Sequence, residues 1–377
     1  MSDRRKKREG GFSLLEMVVA MALGTIVLGA AVSIYIQGVN ATWTVSQRAE
    51  LQQDFRAASN LLTNDLSLAG AGLGQGASIQ LPTSATLPLY GCAQTTGTCY
   101  INSGAGETYP VQGTTPYLYG LLPGYQEGPT VNTMATDIVT VVYTDPTFAL
   151  DCYTASVTNS TTVTFTLPGT LSCTLPTNIS TPQAVNDAGV GLTAGDLVWF
   201  TFGTSNVVAE VTTAATSGGV VVFASGDKLK MNQASSAARS LASKTTGTTG
   251  TAERILVITY YLDSSVTPTR LMRQVSGHTP MPVAENVVYL NFTYDLFNTT
   301  TTTAAVGCPN PGAITPACAN GSSSGLFPNQ ITKINIMHMD MDSSVNGSGF
   351  AQKGYSRMDL QTSVSARNLT YVNNYSN

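Results

Sequence analysis

Residues 12–36 form a run of 25 in which Glu16 is the only side chain that is charged at neutral pH. As a helix such a run is about 37 Å long, enough to cross the hydrocarbon core of a bilayer. Arg4, Arg5, Lys6, Lys7 and Arg8 stand immediately before it. Basic flanks stay in the cytoplasm, so everything after Ile36 is expected outside. A secretory signal has a shorter apolar region, about 7–15 residues, ending at a small-residue cleavage site. Here the run continues past such a point, and the helix is expected to be retained. No cysteine stands near the leader, so a lipoprotein anchor is not supported.

Glu16 is the residue that needs a reason. A carboxylate within a bilayer costs about 2.5–3.5 kcal/mol on insertion scales and usually has a partner. It either lies near the membrane edge and reaches water, or it is matched by a cation. The segment Gly11-Phe12-Ser13-Leu14-Leu15-Glu16-Met17, behind its basic leader, resembles the prepilin motif of type IV pilins and of type II secretion pseudopilins. The resemblance implies cleavage after Gly11 and N-methylation of Phe12 by prepilin peptidase. It also implies that Glu16, fifth from Phe12, is the assembly contact, pairing with an N-terminal amine inside an apolar helix bundle. Loss of residues 1–11 would leave 13 basic and 20 acidic residues, a net charge of −7.

Charge restricts the remaining possibilities. Charged residues are 11% of the 377, against about 25% in an average globular chain. The exported surface must therefore be built from Thr, Ser, Asn and Gly. No Lys or Arg occurs between Arg56 and Lys228, and the whole chain has net charge −4. Nucleic acid is not expected as a partner, because no basic face exists to neutralise phosphates. Two histidines, His278 and His338, exclude a three-histidine zinc site.

Helical periodicity continues beyond the apolar run. Leu51, Phe55, Ala58, Leu62, Leu66 and Ala69 recur at spacings of three and four, the signature of an amphipathic helix. One helix from about residue 12 to about 68 would be on the order of 85 Å long, with Gly70, Gly72, Gly74 and Gly76 as its stop. The stretch from Leu51 to Gly72 is similar to the minor-pilin group called PilW, and more loosely to J-type pseudopilins. Residues 254–262 with 271–273, 282–295 and 358–368 are similar to the strand core and closing strand of the same heads. Residues 76–252 and 298–328 carry no such likeness.

From residue 81 the pattern is of strands separated by Gly, Pro, Thr and Asn clusters. The main candidates are 137–143, 162–166, 196–202, 207–212, 220–224, 254–262, 271–275, 286–295, 331–339 and 358–367. Low-complexity tracts at 244–251 and 298–303 are expected to be flexible loops. The expected fold is α+β and type IV pilin-like: a long N-terminal helix, its first half membrane-spanning, packed on a large antiparallel β-rich head. The expected divisions are a leader (1–11), a transmembrane or filament-core helix (12–36), its amphipathic continuation (37–70) and the head (71–377).

Cys92, Cys99, Cys152, Cys173, Cys308 and Cys318 all fall in the exported part. An oxidising compartment favours disulfides, with 15 possible pairings. Sequential pairing would close three short loops, and no zinc-knuckle spacing competes. His338, Asp340 and Asp342 alternate along a strand and could share a face. The run from Asp340 to Gly347 offers oxygen ligands for calcium but lacks the Gly and Glu placement of an EF-hand. A solvated strand end and turn accounts for it, so no metal or cofactor is expected. No Gly-x-Ser-x-Gly elbow occurs, and Ser276-Gly277-His278 suits a turn, so an enzyme is not expected.

The resemblance thus implies a minor pilin of a type IV pilus or its priming complex, or alternatively a J-type pseudopilin of type II secretion. A membrane-anchored binding module or hydrolase is the remaining reading. Expected partners are prepilin peptidase, other minor and major pilins, a pilus tip adhesin and the inner membrane. The expected place is the inner membrane with a periplasmic head, then the pilus and cell surface.

Overall fold

A computed structural model describes residues 11–74, 78–84, 86–101, 104–171, 173, 175, 180–313, 315–322, 324–343 and 357–369. The basic leader cluster, Gly76 and the Ser344–Gly347 part of the calcium reading (residues 344–347) lie outside the described residues. The chain divides into two compact units, Met1–Gln52 with Ser343–Ser356, and Gln53–Asp342 with Arg357–Asn377.

One helix, Leu14–Ser67, supplies nearly all that is described of the first unit and begins the second. It contains no proline, so no backbone donor is missing along its 54 residues. Along the apolar run of the first unit the large side chains face outward: Leu14, Leu15, Met21, Ile26, Leu28, Ile34 and Tyr35 are all at least 66% exposed. Part of this helix is long and apolar enough to cross a membrane, and none of that part is buried.

Within the second unit the same helix is amphipathic. Phe55, Ala58, Leu62 and Leu66 are buried, whereas Gln53, Arg56, Asn60, Asn64 and Ser67 are exposed. The helix ends at Ser67, and Gly70, Gly72 and Gly74 follow with φ of 77°, 76° and 71°. Only glycine enters that region without a Cβ clash. The turn docks the chain on a strand, since Gly70 N–H donates to the Val142 carbonyl (2.9 Å) and Thr144 N–H to the Ala71 carbonyl (2.9 Å).

The rest of the second unit is antiparallel sheet; every strand pair among the described residues runs antiparallel. The largest sheet, of ten strands, is organised by Thr249–Asp263. The beginning of this strand pairs with Leu197–Phe202 and Thr154–Asn159, and its end with Ile138–Thr144 and Arg270–Val275. At 15 residues it exceeds the usual five or six and serves two sets of neighbours. A second sheet has the order Thr303–Cys308, Val287–Asn298, Ile331–Asp342, Arg357–Ser365.

One core cluster is aromatic: Phe200 lies 6.1 Å from Phe165, 5.5 Å from Phe202 and 5.4 Å from Phe223, centroid to centroid. Such pairs add about 0.5–1.5 kcal/mol each beyond their buried area. A second cluster gathers Tyr109, Leu118, Tyr119, Ile255 and Val257. The two sheets are joined by Asp137, which is 2% exposed. Its carboxylate accepts from Phe292 N–H (2.8 Å), Asn291 Nδ2 (3.0 Å) and Gln126 N–H (2.8 Å). Burial still pushes its pKa up to about 6, against the lowering effect of these donors.

The structure corrects one expected loop. Thr249, Gly250 and Thr251 belong to the long strand rather than to a flexible tract. Gly250 is required there because a Cβ would collide with the Thr201 carbonyl of the neighbouring strand. Several strands are absent from the sequence pattern, among them Thr115–Tyr119, Leu121–Gly124, Thr154–Asn159, Met281–Glu285 and Thr303–Cys308. Met281–Glu285 contains Pro282 and pairs on one side only, the edge position proline tolerates.

Candidate processing and assembly site

Ser13 precedes the first helical residue, and Glu16 is the third helical residue. Ser13 Oγ accepts from Glu16 N–H (3.2 Å), while Glu16 Oε2 accepts from Ser13 N–H (3.0 Å) and from Ser13 Oγ (3.1 Å). This is a capping box: two helix-terminal donors are satisfied reciprocally by the side chains that start the helix. Phe12, just ahead of it, is 87% exposed. The Gly11–Phe12 junction therefore stands beside a defined helix start, and a Cβ at Gly11 would meet nothing within 4 Å.

Ser13 is the residue that reading the sequence leaves out. The signal was present, since S-x-x-E ahead of an apolar run marks a capping box. Glu16 consequently has a local partner as well as any role toward another subunit. Only its Oε2 takes part in the capping bonds, so Oε1 is open to an external donor.

In the head, Asp65 holds the helix to the sheet. It is 3% exposed and accepts from Tyr260 Oη (2.6 Å) and Arg273 Nε (2.8 Å). Burial raises the Tyr260 pKa, and the Asp65 carboxylate beside it adds to the rise. Beside this joint, Ala57, Leu61, Arg273, His278, Met281 and Val283 line a groove of about 560 Å³. His278 Nε2 lies 2.9 Å from Asp196 Oδ1. Ser276 Oγ bonds instead to Val257 N–H (3.3 Å) and the Ile255 carbonyl (3.4 Å), so the Ser276-Gly277-His278 turn forms no Ser–His pair.

The six cysteines are joined as Cys92–Cys99, Cys152–Cys173 and Cys308–Cys318, leaving no free thiol. His338, Asp340 and Asp342 all lie on Ile331–Asp342. Asp342 is engaged by Arg357, with Nε at 2.7 Å and Nη2 at 3.0 Å, and His338 Nδ1 lies 3.1 Å from Asp359 Oδ2.

Residues 6–32 match the model of the prokaryotic N-terminal methylation motif. No curated protein and no solved structure matches the chain. The motif match and the long exposed apolar helix support a type IV pilin-like protein, of pilin or pseudopilin type. They are consistent with a membrane-anchored, single-pass chain. The motif implies processing by prepilin peptidase and assembly with other pilins, and it indicates a structural protein. The fold is of the α+β pilin-like class, a long apolar N-terminal helix followed by a large antiparallel region with three disulfides.

Proposed function

We propose that this chain is a minor pilin of the PilW kind, a subunit of a type IV pilus or of the complex that primes its assembly. The observation that supports it most is the methylation motif set on a helix whose apolar residues have no cover within their own unit. In this reading residues 12–36 sit in the inner membrane, with the N-terminus cytoplasmic and the head periplasmic. Prepilin peptidase cuts after Gly11 and methylates Phe12. The helix then leaves lipid for a bundle of other minor and major pilins, where Glu16 meets an N-terminal amine. Burying that charge pair inside apolar surroundings is favourable only when both charges arrive together. A tip adhesin is a further partner in this reading.

Mass spectrometry of sheared surface filaments tests it. The expected result is an N-terminal peptide beginning at N-methylated Phe12. Recovery only from the membrane fraction, with Met1 intact, would overturn the reading. Deleting the gene distinguishes the machinery: lost piliation supports the minor pilin, and lost exoprotein secretion with intact pili assigns a J-type pseudopilin. Glu16→Ala is expected to leave cleavage intact and to reduce incorporation into filaments at least several-fold.

A further inference from the structure

The four-stranded sheet carries a cluster whose chemistry the pilin reading does not use. Ile331–Asp342 contains a bulge: Ile336 faces Thr362 and Met339 faces Leu360, so Met337 and His338 together oppose Gln361. The same irregularity appears toward the other neighbour, where Asn291 faces His338 and Phe292 faces Ile336. An extra residue reverses the alternation of a strand beyond it. Ile334 and Ile336 are buried before the bulge, and Met339 and Met341 after it. His338, Asp340 and Asp342 are thereby moved to the polar face.

On that face Asp340 stands directly opposite Asp359 of Arg357–Ser365. Like charges in facing positions are unfavourable unless a counter-charge intervenes. The nearest arginine, Arg357, is held at 2.7 Å by Asp342 and reaches Asp340 only at 3.7 Å. The Asp340 side chain is 13% exposed, and its Oδ1 is buried with no hydrogen-bond partner. His338 Nδ1 and Gln361 Nε2 lie 3.1 Å and 2.7 Å from Asp359 Oδ2. One donor atom from each of His338, Asp340 and Asp359 falls within 4.8 Å of the others.

We propose that His338, Asp340 and Asp359 form a binding site for a divalent transition-metal ion of the zinc class. A tetrahedral zinc with bonds of about 2.0–2.2 Å holds its ligand atoms roughly 3.4 Å apart. His338 and Asp359, both on the solvent side of the sheet, close that difference by rotamer adjustment. An imidazole with two carboxylates suits zinc better than calcium, which takes six to eight oxygens. The Gln361 carbonyl oxygen, turned inward by an amide flip, is a fourth ligand. The ion adds a counter-charge between the facing aspartates, beyond the Arg357 contact at 3.7 Å, and ties the edge strand Arg357–Ser365 to its neighbour.

The test is titration of the full chain in detergent, first stripped with chelator, with Zn²⁺ and separately with Ca²⁺. All six cysteines are in disulfides, so thiolates do not compete for the added zinc. One zinc equivalent should bind and raise the melting temperature; Ca²⁺ at the same concentration should do neither. His338→Gln and, independently, Asp359→Asn should each weaken zinc binding at least tenfold while melting like the stripped wild type. Glu285→Gln, at an exposed carboxylate paired with Arg270 in the other sheet, should bind as the wild type does. Absence of zinc binding by the wild type, binding that survives both trio substitutions, or a response to Ca²⁺ alone would overturn the proposal.

Discussion

The two ends of one helix solve opposite problems. From Leu14 to Ile36 its leucines, isoleucines and valines are exposed, and nothing within the unit covers them. From Gln53 to Ser67 a stripe of Phe55, Ala58, Leu62 and Leu66 is buried, and Asp65 joins two sheet residues. The first end is apolar on all sides, as expected of a segment that lives in lipid or among other helices. The second is apolar on one side because its partner is a sheet of the same chain. Substitutions in the second end should register as lost folding stability, whereas substitutions in the first should register as lost membrane or filament partition.

The largest expected effect is at Asp65. Asp65→Ala removes the acceptor shared by Tyr260 and Arg273, leaving a half-buried guanidinium without its counter-ion. Breaking a buried pair in this way costs about 3–5 kcal/mol, and urea denaturation of the full chain in detergent should show it. A loss under 1 kcal/mol would mean that the helix is held to the sheet by apolar packing alone.

Leucine truncation separates the two ends next. Leu62 is 0% exposed and Leu28 is 66% exposed. Leu62→Ala should cost about 2–5 kcal/mol through lost burial and a residual cavity. Leu28→Ala should leave head stability within about 0.5 kcal/mol. Equal losses at both positions would break the comparison.

Carboxylates give a third contrast, this time in pH. Glu210 is wholly buried and Asp227 is 5% exposed; burial pushes both pKa values up, and Asp227 adds to the rise at Glu210. Glu210 Oε2 accepts from Leu229 N–H (3.0 Å), while Asp227 accepts from Met231 N–H (2.6 Å) and Asn232 N–H (3.0 Å). A folded state that holds protons more tightly than the unfolded one is favoured at low pH and loses that advantage as pH rises. Melting temperature should therefore fall between about pH 5 and about pH 9. Glu210→Gln, which keeps an acceptor for Leu229 and carries no charge, should flatten the slope. An unchanged slope would assign the dependence to other groups.

Such features mark the boundary of what was legible in advance. The helix was readable because its period persists over many residues and because Gly70, Gly72 and Gly74 mark a stop. Strands with strong alternation, such as Thr162–Thr166 and Leu197–Phe202, were readable for the same reason. Met281–Glu285 was not, since Pro282 and an exposed edge hide its pattern. Thr249–Thr251 was not, because Thr and Gly also compose loops and only the crowding at Thr201 shows why a glycine stands there. Tertiary pairs are the least legible: neither Asp65 with Arg273 nor Asp340 with Asp359 has a spacing that announces it. At the N-terminus the difficulty was different, because the motif drew attention to Glu16 and away from the serine three residues before it.

Ser13 gives the smallest effect and the sharpest distinction. Loss of an N-cap hydroxyl costs about 0.5–2 kcal/mol of helix stability, confined to the first turn. Ser13→Ala should leave the urea midpoint of the head unchanged, because the capping bonds are made between Ser13 and Glu16 alone. Glu16 would keep its charge but lose the hydroxyl that positions its carboxylate, while retaining the Ser13 N–H as donor. If Glu16 acts only through the cap, Ser13→Ala and Glu16→Ala should reduce incorporation into filaments equally. If it also meets an amine on another subunit, Ser13→Ala should reduce incorporation only slightly and Glu16→Ala much more. Comparing the two variants by the amount of each chain in sheared filaments decides between these outcomes. The assembly reading requires the second, because a cap holds one helix start together whereas a charge pair holds two subunits.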